Sequence, residues 1–176
     1  VMDLLFERLT TWLAPVLVFT MEDVWLSRFP EDKGSVHLTD MPETPTAWID
    51  EALAEKFTFL RGVRVIANAM MEIERVEKRI GSSLEAKLLI KAPTQLQCDT
   101  LSSVDLEDFC IVSSVTVELG RPVNLDGTPF GPNYEGVGVK VYRAEGAKCE
   151  RCWKILPDVG THKHAGTCQR CSEALG

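Results

Sequence analysis

Apolar residues near the start of the chain recur at steps of three and four, the spacing of one face of an α-helix. The first such face consists of Leu5, Leu9, Trp12, Leu13 and Val16. Pro15 has no backbone N–H and clashes with the preceding turn of a helix. The pattern therefore predicts a first helix that ends or kinks at Pro15.

A second helix is predicted to begin near Thr20, because its hydroxyl and the acid Asp23 three residues later can cap free backbone N–H groups. Trp25 lies on the apolar face that follows. Residues 30–47 contain three prolines and a glycine, which is typical of a linker. Within this linker we expect one short extended piece at Ser35–Leu38.

The longest predicted helix runs from about Thr46 to Ile80, and Gly81 should end it. Its nearly unbroken apolar stripe consists of Leu53, Phe57, Leu60, Val63, Ala67, Met70, Ile73 and Val76. Such a helix is most simply a member of a bundle with one solvated face. Three basic residues lie in its last turns: Arg75, Lys78 and Arg79. They suit the negative end of the helix dipole, and contact with phosphates is the alternative.

After residue 81 the pattern changes to alternating apolar and polar positions, which predicts β-strands. Strands are expected at 86–90, 111–119 and 137–142, with one or two short helices within 94–109. The segment 120–136 should be a loop, with a hairpin turn at Asp126–Gly127. The chain should thus be mostly α. It should contain a helical bundle at 1–81, a small α+β domain at 82–145, and a separate module at 146–176.

Composition narrows the class of protein. The 176 residues carry a net charge of −7, which argues against non-specific nucleic-acid binding over the whole surface. No apolar run is long enough to span a membrane, and the start lacks the features of a secretory signal. We therefore expect a cytoplasmic protein with no membrane partner. The first residues already have the pattern of a helix interior, which suggests a fragment of a longer chain.

The six cysteines divide into two groups. Cys98 and Cys110 stand alone among apolar neighbours and are expected to be buried thiols. The other four form the pattern C-x2-C-x15-C-x2-C, and they are Cys149, Cys152, Cys168 and Cys171. This spacing is typical of one structural zinc ion, because each C-x2-C turn aims two sulfurs at one point.

The four thiolates would close a tetrahedron and leave no position for a substrate, so the zinc should be structural and not catalytic. Iron bound by the same thiolates and a dithiol redox centre are the alternatives. His162 and His164 lie between the two cysteine pairs, but they are not needed as ligands. Because the tail is too small to form its own core, metal binding should supply much of its folding free energy.

Between 146 and 176 the basic side chains outnumber the acidic ones by two, which a zinc tetrathiolate of formal charge −2 cancels. Only a local arrangement could therefore bind nucleic acid. Arg151 and Trp153 flank Cys152 and would offer a cation beside an aromatic plane, which suits a phosphate and an unstacked RNA base. The alternative is that Trp153 packs over the zinc site and Arg151 is solvated.

Five segments, in order along the chain, resemble bacterial isoleucyl-tRNA synthetases. They are Leu13–Pro15 with Phe19–Trp25, Ser35–Leu38, Ile80–Ala86, the run Cys149–Trp153 followed by Asp158–Gly160, and Cys168–Cys171. The resemblance covers nearly the whole chain and is poorest at 120–136. It implies an anticodon-binding helical bundle followed by a zinc module that lies against the anticodon end of isoleucine tRNA.

The resemblance also implies which residues act. The four cysteines would be the zinc ligands, and Arg151 and Trp153 the main tRNA contacts. On their charge, the other basic residues Lys154, Lys163 and Arg170 are expected to contact the tRNA as well. The parent enzyme would be an ATP-dependent class I synthetase. The chain lacks the HIGH and KMSKS signatures, so we expect it to have no catalytic residue, and ATP would bind only in the absent catalytic domain. The expected partners are isoleucine tRNA and the parent's catalytic and editing domains, without DNA.

Two other functions stay open at this point. The zinc module could be a structural or protein-docking staple with no RNA contact, which the acidic net charge favours. It could also be a DNA-binding zinc finger of the kind found in base-excision glycosylases, although the helical bundle and the lack of a basic surface argue against that.

Overall fold

The computed structural model describes residues 1–30, 34–124, 127 and 130–176. The chain divides into two compact units, Val1–Asp50 and Glu51–Gly176. This division places the long helix with the sheet that follows it. The three-part organisation expected from the sequence, 1–81, 82–145 and 146–176, stays a prediction.

The first unit contains helix α1 at Met2–Leu13, helix α2 at Val18–Arg28, and two single 3-10 turns at Val36–Leu38 and Thr46–Trp48. Its core is small and consists of Ala14, Met21, Trp25 and Val36, with Phe6, Val24 and Phe29 packed around them. The break between α1 and α2 falls at Pro15, as its missing N–H predicts.

Three expectations for this unit are wrong in detail. Helix α2 begins at Val18 with Leu17 before it and no side-chain cap, so the Thr20 hydroxyl does not start it. The apolar face predicted for α1 is exposed, with Leu9 half-exposed and Val16 76% exposed. The side chains that α1 buries include Arg8 and Thr10. The piece at Ser35–Leu38 is a 3-10 turn and not an extended segment, because the Ser35 hydroxyl accepts a hydrogen bond from the His37 N–H and closes the turn.

The second unit begins with α3 at Glu51–Val76, which ends before the predicted Ile80. Lys78 adopts the left-handed backbone conformation (φ 58°), so the stop comes from Lys78 and not from Gly81. Arg79 ion-pairs with Glu74 and Glu77. The Arg79 guanidinium also holds the pKa of Glu74 below its usual value. Arg79, one of the three basic residues in these turns, is therefore paired with acids of the same helix end.

The apolar stripe of α3 is only partly buried. Leu60, Val63 and Ala67 are fully covered, whereas Ile73 and Val76 at the C-terminal end are exposed. The buried part packs against the sheet and not against a helical bundle. A pure helical bundle is thus not confirmed, and the chain is a combination of helix and sheet.

The remaining elements follow in chain order. They are β1 (Ala86–Ala92), α4 (Gln95–Ser102), α5 (Leu106–Cys110), β2 (Ser114–Leu119), β3 (Asn133–Tyr134), β4 (Val137–Arg143), β5 (Ala147–Lys148), β6 (Ile155–Leu156) and α6 (Gln169–Glu173). The main sheet has the order β2-β1-β4-β3, in which β1 and β2 are parallel and the other neighbours antiparallel. The strands and helices expected between 82 and 145 are present, whereas β3 was not foreseen.

The core of the second unit lies between this sheet and α3, α4 and α5. Leu88, Ile90 and Val139 are fully buried there because alternate strand residues point to the same face. Cys98 and Cys110 are buried free thiols, as expected, and burial raises the pKa of Cys110 to about 11. Asp126 of the predicted hairpin turn lies outside the described residues. Within the described ranges, no helix combines the length and the apolar character needed to cross a bilayer.

Candidate metal centre and nucleic-acid surface

The first cysteine pair lies in a tight turn between two short paired strands, β5 and β6. The Cys149 N–H donates to the carbonyl of Lys154, and the Trp153 N–H donates to the carbonyl of Cys149, both at 2.9 Å. These two hydrogen bonds close the turn on itself. As a result, the side chains of Cys149 and Cys152 point to the same side of the hairpin.

The second pair sits at the start of α6, with Cys168 as the residue before the helix and Cys171 in it. The Cys168 N–H donates to the Cys149 sulfur at 3.4 Å, which joins the two turns. Gly166 has φ +77°, a left-handed backbone conformation that favours glycine, and its carbonyl accepts the Glu150 N–H at 2.9 Å. Gly166 thus lets the chain turn and join the first cysteine turn through this hydrogen bond.

The four cysteine sulfurs form a compact cluster, all within 4.8 Å of one another. The Cys152 and Cys168 sulfurs are 3.8 Å apart. A tetrahedron with metal–sulfur bonds of about 2.3 Å has sulfur–sulfur edges of about 3.8 Å, so the spacing fits zinc. The same spacing is far too long for a disulfide. The donor set and its geometry thus fit a structural zinc site.

The ionisation of these thiols shows why the cluster needs a cation. Burial acts against the Cys149 thiolate, but N–H groups of Cys152, Cys168 and Arg151 donate to it and together lower the pKa to about 6. Burial raises the pKa of Cys152 to about 12 and also raises that of Cys168. A zinc ion bound by the four sulfurs would favour their thiolate form and so offset the effect of burial on Cys152 and Cys168.

The histidines between the pairs do not join the cluster. His162 contacts the carboxylate of Asp158 at 3.0 Å, and that carboxylate also accepts the N–H of Gln169 at 2.8 Å. The Gln169 N–H and His162 hold the pKa of Asp158 below its usual value. Asp158 thus ties the loop to the first turn of α6. Among the described residues, the four cysteines are the one group with the number and spacing of metal ligands.

Among the predicted tRNA contacts, Trp153 has an unusual backbone conformation. Its backbone is left-handed (φ 65°), a conformation that is costly for a residue with a Cβ. Its side chain is 60% exposed, so it does not cover the metal cluster. The Lys148 ammonium lies 5.6 Å from the centre of the indole ring, within cation–π distance. The structure therefore presents an exposed aromatic plane beside a cation, next to Cys152.

The other predicted contacts differ in their surroundings. Arg151 is exposed. Lys163 donates to the backbone carbonyl of Gly176 at 2.6 Å. Lys154 and Arg170 both bind the carboxylate of Asp108 on α5, at 2.6 and 3.0 Å. These two cations therefore attach the zinc module to the α+β part of the same unit.

Ser113 forms a second attachment that the sequence did not reveal. Its hydroxyl accepts the N–H of Ile155 at 2.7 Å and donates to the carbonyl of Leu84 at 2.5 Å. Ser113 is almost fully buried. Neither Ser113 nor Asp108 has a sequence signal of its own, because their partners in the zinc module, Ile155 and Lys154, lie more than forty residues further along the chain.

A depression of about 580 Å³ opens beside the metal cluster. Its lining includes three cationic side chains, Arg151, Lys154 and Arg170, together with the carboxylate of Asp108 and the half-buried Cys152. Three cations stand against one carboxylate, and the formal charge of −2 on a zinc tetrathiolate that includes Cys152 and Cys171 would offset the surplus. Binding of an anionic group such as a phosphate here would therefore depend on direct contacts with the cations and not on a net positive charge.

Comparison with known proteins defines the class to which these features belong. Residues 1–90 match the family described as the anticodon-binding domain of tRNA ligase, and residues 146–174 match a family described as a zinc finger found in FPG and IleRS. The first match covers half of the chain. The chain belongs to the family of anticodon-binding domains of tRNA ligases.

Three similar proteins are all isoleucine–tRNA ligases. An isoleucine–tRNA ligase of Ruegeria pomeroyi is 51% identical over the whole chain, and those of Agrobacterium fabrum and Bartonella henselae are 44% and 41% identical over 89% of it. The resemblance to isoleucyl-tRNA synthetases is thus confirmed. The chain spans 18% of the length of the first relative and 16% of the other two.

Proposed function

We propose that this chain recognises the anticodon stem-loop of isoleucine tRNA as part of a cytoplasmic, ATP-dependent isoleucine–tRNA ligase. One zinc ion, held by Cys149, Cys152, Cys168 and Cys171, has a structural role in this proposal. The three-part division 1–81, 82–145 and 146–176 is proposed as the functional organisation. Catalytic and editing domains of the same ligase are the proposed intramolecular partners.

The observation that carries this proposal is the exposed Trp153 in a left-handed backbone. A strained residue persists only where its surroundings hold it, and such residues concentrate at binding sites. Here the turn closed by Cys149 fixes the backbone, while Lys148 and Arg151 add positive charge. An indole held in this way can stack on an unpaired base and the cations can bind its phosphate.

The depression beside the cluster supports the same function through the cations that line it. Lys154 and Arg170 share the carboxylate of Asp108, whereas Arg151 is exposed at the rim and can contact a phosphate directly. The position of the depression beside the zinc turn suits the backbone of a nucleotide whose base rests on Trp153. The acidic net charge of the chain does not oppose this binding, because at physiological salt the repulsion from acids more than about 8 Å away is largely screened.

The test is a comparison of affinities for two RNAs. The zinc-loaded chain is titrated with isoleucine tRNA and with the same tRNA altered in the anticodon, at physiological salt. We expect tighter binding of the unaltered tRNA and a loss of that preference in Trp153→Leu. Leu96→Ala is the control, because Leu96 is 76% exposed on α4 and lies outside both the zinc module and the residues 1–90 that match the anticodon-binding family. Equal affinity for both RNAs would overturn anticodon recognition.

A second candidate function is a docking staple without RNA contact. The ion pairs of Asp108 with Lys154 and Arg170 favour it, because they use two of the predicted RNA contacts to hold the module in place. This function predicts that Arg151→Gln leaves tRNA affinity unchanged. Competition by duplex DNA in the same assay tests the DNA-binding zinc-finger alternative.

A further inference from the structure

The main sheet has one face that the helices do not cover. Along β1, residues alternate between full burial in the core on the helical side and partial exposure on the opposite side. The open face, as we call this side, consists of Lys87, Leu89, Lys91, Ser114, Thr116, Glu118, Gly138, Lys140 and Tyr142. It belongs entirely to the second compact unit.

The strand register arranges the open face in three rows across three strands. Ser114, Lys87 and Tyr142 form one row, Thr116, Leu89 and Lys140 the next, and Glu118, Lys91 and Gly138 the third. Neighbouring strands lie about 4.8 Å apart, and alternate residues of one strand about 6.8 Å. The face therefore presents a regular grid of side chains with a lysine in every row.

The charge of the open face is opposite to that of the chain. Its nine residues include three lysines and one acid, Glu118, whose carboxylate lies 3.7 Å from the Lys91 ammonium. At the margin, Arg143 and Glu145 add one charge of each sign. The Lys140 ammonium donates to the side-chain oxygen of Asn124 at 2.9 Å, and this amide carries no formal charge that could neutralise the lysine. The face thus carries a local excess of positive charge although the chain as a whole carries −7.

Aromatic rings lie among these lysines. The Lys140 ammonium is 5.5 Å from the centre of the Tyr142 ring and 5.7 Å from that of Phe130, and the Lys91 ammonium is 5.6 Å from Phe130. Phe130 is buried at the margin, whereas Tyr142 is 42% exposed. Tyr142 therefore offers an accessible ring edge or face, with its neighbouring cation already in place.

The open face is concave and not flat. A depression of about 620 Å³ is lined by Leu89, Lys91, Phe130, Lys140 and Tyr142, and one of about 440 Å³ continues from it along Leu89 and Tyr142 to Lys87. Gly138 shapes the first depression. A Cβ there would meet Pro122 at 2.3 Å, so its absence lets the 122–124 segment close over the sheet.

We propose that the open face binds an unpaired RNA segment, with Lys87, Lys91 and Lys140 on successive phosphates and Tyr142 stacked on a base. The inference rests on the proposed function and adds a second RNA surface to the zinc module. Charge complementarity selects RNA over a protein partner. Leu89 is the one aliphatic side chain at the centre of the three rows, too little apolar area for the core of a protein interface. Aromatic rings on a sheet are a known way to stack bases.

The experiment compares Lys87→Gln and Tyr142→Leu with the control Asp99→Asn. Asp99 is an exposed charge on α4, which packs on the other face of the sheet and lies outside residues 1–90. Affinity of the zinc-loaded chain for isoleucine tRNA is measured between about 50 and 200 mM salt. We expect Tyr142→Leu to weaken binding about tenfold. Lys87→Gln should reduce the slope of log affinity against log salt by about 0.7, the contribution of one phosphate on a single strand. Asp99→Asn should change neither quantity.

The outcomes separate this inference from the proposed function. If the unsubstituted chain binds isoleucine tRNA but both open-face variants match Asp99→Asn, the open face is not an RNA surface and the proposed function stands. If the unsubstituted chain binds no tRNA, both are overturned. A protein partner would be indicated if the open-face variants lost binding to a domain of the ligase while keeping full tRNA affinity, and this too would overturn the inference. Melting curves confirm that each variant is folded.

Discussion

The carboxylate of Asp108 lies 2.6 Å from the ammonium of Lys154, and the two groups belong to different parts of the second unit. Asp108 is on α5, beside the sheet, whereas Lys154 follows the first pair of zinc-binding cysteines. Because Arg170, beside the second pair, contacts the same carboxylate, one acid fixes both halves of the metal module. The orientation of the zinc module therefore depends on a side chain outside it.

The Asp108–Lys154 contact should be measurable as a coupling energy. We expect a double-mutant cycle with Asp108→Asn and Lys154→Gln to give about 0.5–1 kcal/mol, since the Lys154 side chain is only 15% exposed but Asp108 is partly solvated. Chemical denaturation of the zinc-loaded chain measures it. The cycle with Asp108→Asn and Lys163→Gln is the control, because Lys163 binds Gly176 instead, and a coupling of equal size there would contradict the assignment.

The same carboxylate predicts a dependence of stability on pH. The hydrogen bond from Lys154, and then Arg170, hold the pKa of Asp108 below its usual value in the folded chain. A group with a lowered folded pKa stabilises the protein above its unfolded pKa of about 3.9 and loses this effect as the pH falls through the folded value. The stability difference between the unsubstituted chain and Asp108→Asn should thus be largest near neutral pH and shrink in acid. Taking the difference removes the contribution of zinc release, which both proteins share.

Replacement of Trp153 by glycine should separate folding from RNA binding. Glycine adopts φ 65° without the cost of a Cβ, so Trp153→Gly should keep zinc affinity and leave stability unchanged or raise it by up to about 1 kcal/mol. The same variant should lose about 1–3 kcal/mol of tRNA affinity, because no ring is left to stack. Calorimetry and filter binding give the two quantities. A glycine variant that binds tRNA normally would show that the indole has no part in recognition.

Removal of the metal should unfold the tail and leave the rest of the second unit folded. The core formed by Leu60, Leu88 and Val139 has no cysteine ligand among its contacts, so its circular dichroism should persist through a chelator titration. The fluorescence of Trp153 should change, because its backbone is held by the turn at Cys149. Metal analysis should find one zinc per chain, and Cys98→Ala should behave like the unsubstituted protein. Loss of all helical signal on chelation would contradict this separation.

Ser113 should be important for the attachment of the module. Ser113→Ala removes the acceptor of the Ile155 N–H at a nearly fully buried position, and an unsatisfied buried donor costs about 1–3 kcal/mol. We expect a destabilisation of that size together with faster amide exchange at Ile155. Ser103→Ala is the control, because Ser103 is exposed and its hydroxyl donates to the carbonyl of Thr100 in the same turn. Unchanged exchange at Ile155 would contradict the role given to Ser113.

The extent of each helix shows where prediction from sequence reached its limit. The apolar stripe of α3 correctly located a long helix, but Ile73 and Val76 continue the periodicity without being buried. Periodicity records which face of a helix is apolar, whereas burial depends on how far the packing partner extends. Lys78 ended the helix before Gly81 because a lysine can also adopt the left-handed conformation when Glu74 and Arg79 hold the turn.

The metal cluster was predictable from sequence, whereas the contacts of the nearby cations Lys154 and Arg170 were not. The spacing of Cys149, Cys152, Cys168 and Cys171 determined the cluster because each pair of ligands lies within one turn of the chain, and local geometry alone aims the sulfurs. Lys154 and Arg170 were predicted as RNA contacts on their charge, and the fold placed both on Asp108. Charge along a sequence does not reveal which opposite charge the fold will bring near.

The sequence by itself determined the order of the elements, the cysteine cluster, and the kinship with isoleucine–tRNA ligases, because each depends on residues close together or on motifs in order. Only the tertiary structure decided that α3 packs on the sheet, that Asp108 and Ser113 hold the zinc module, and that three lysines share one open face. Those facts depend on contacts between distant residues, and the energy of such contacts is fixed by the packing of the whole unit and not by any local pattern.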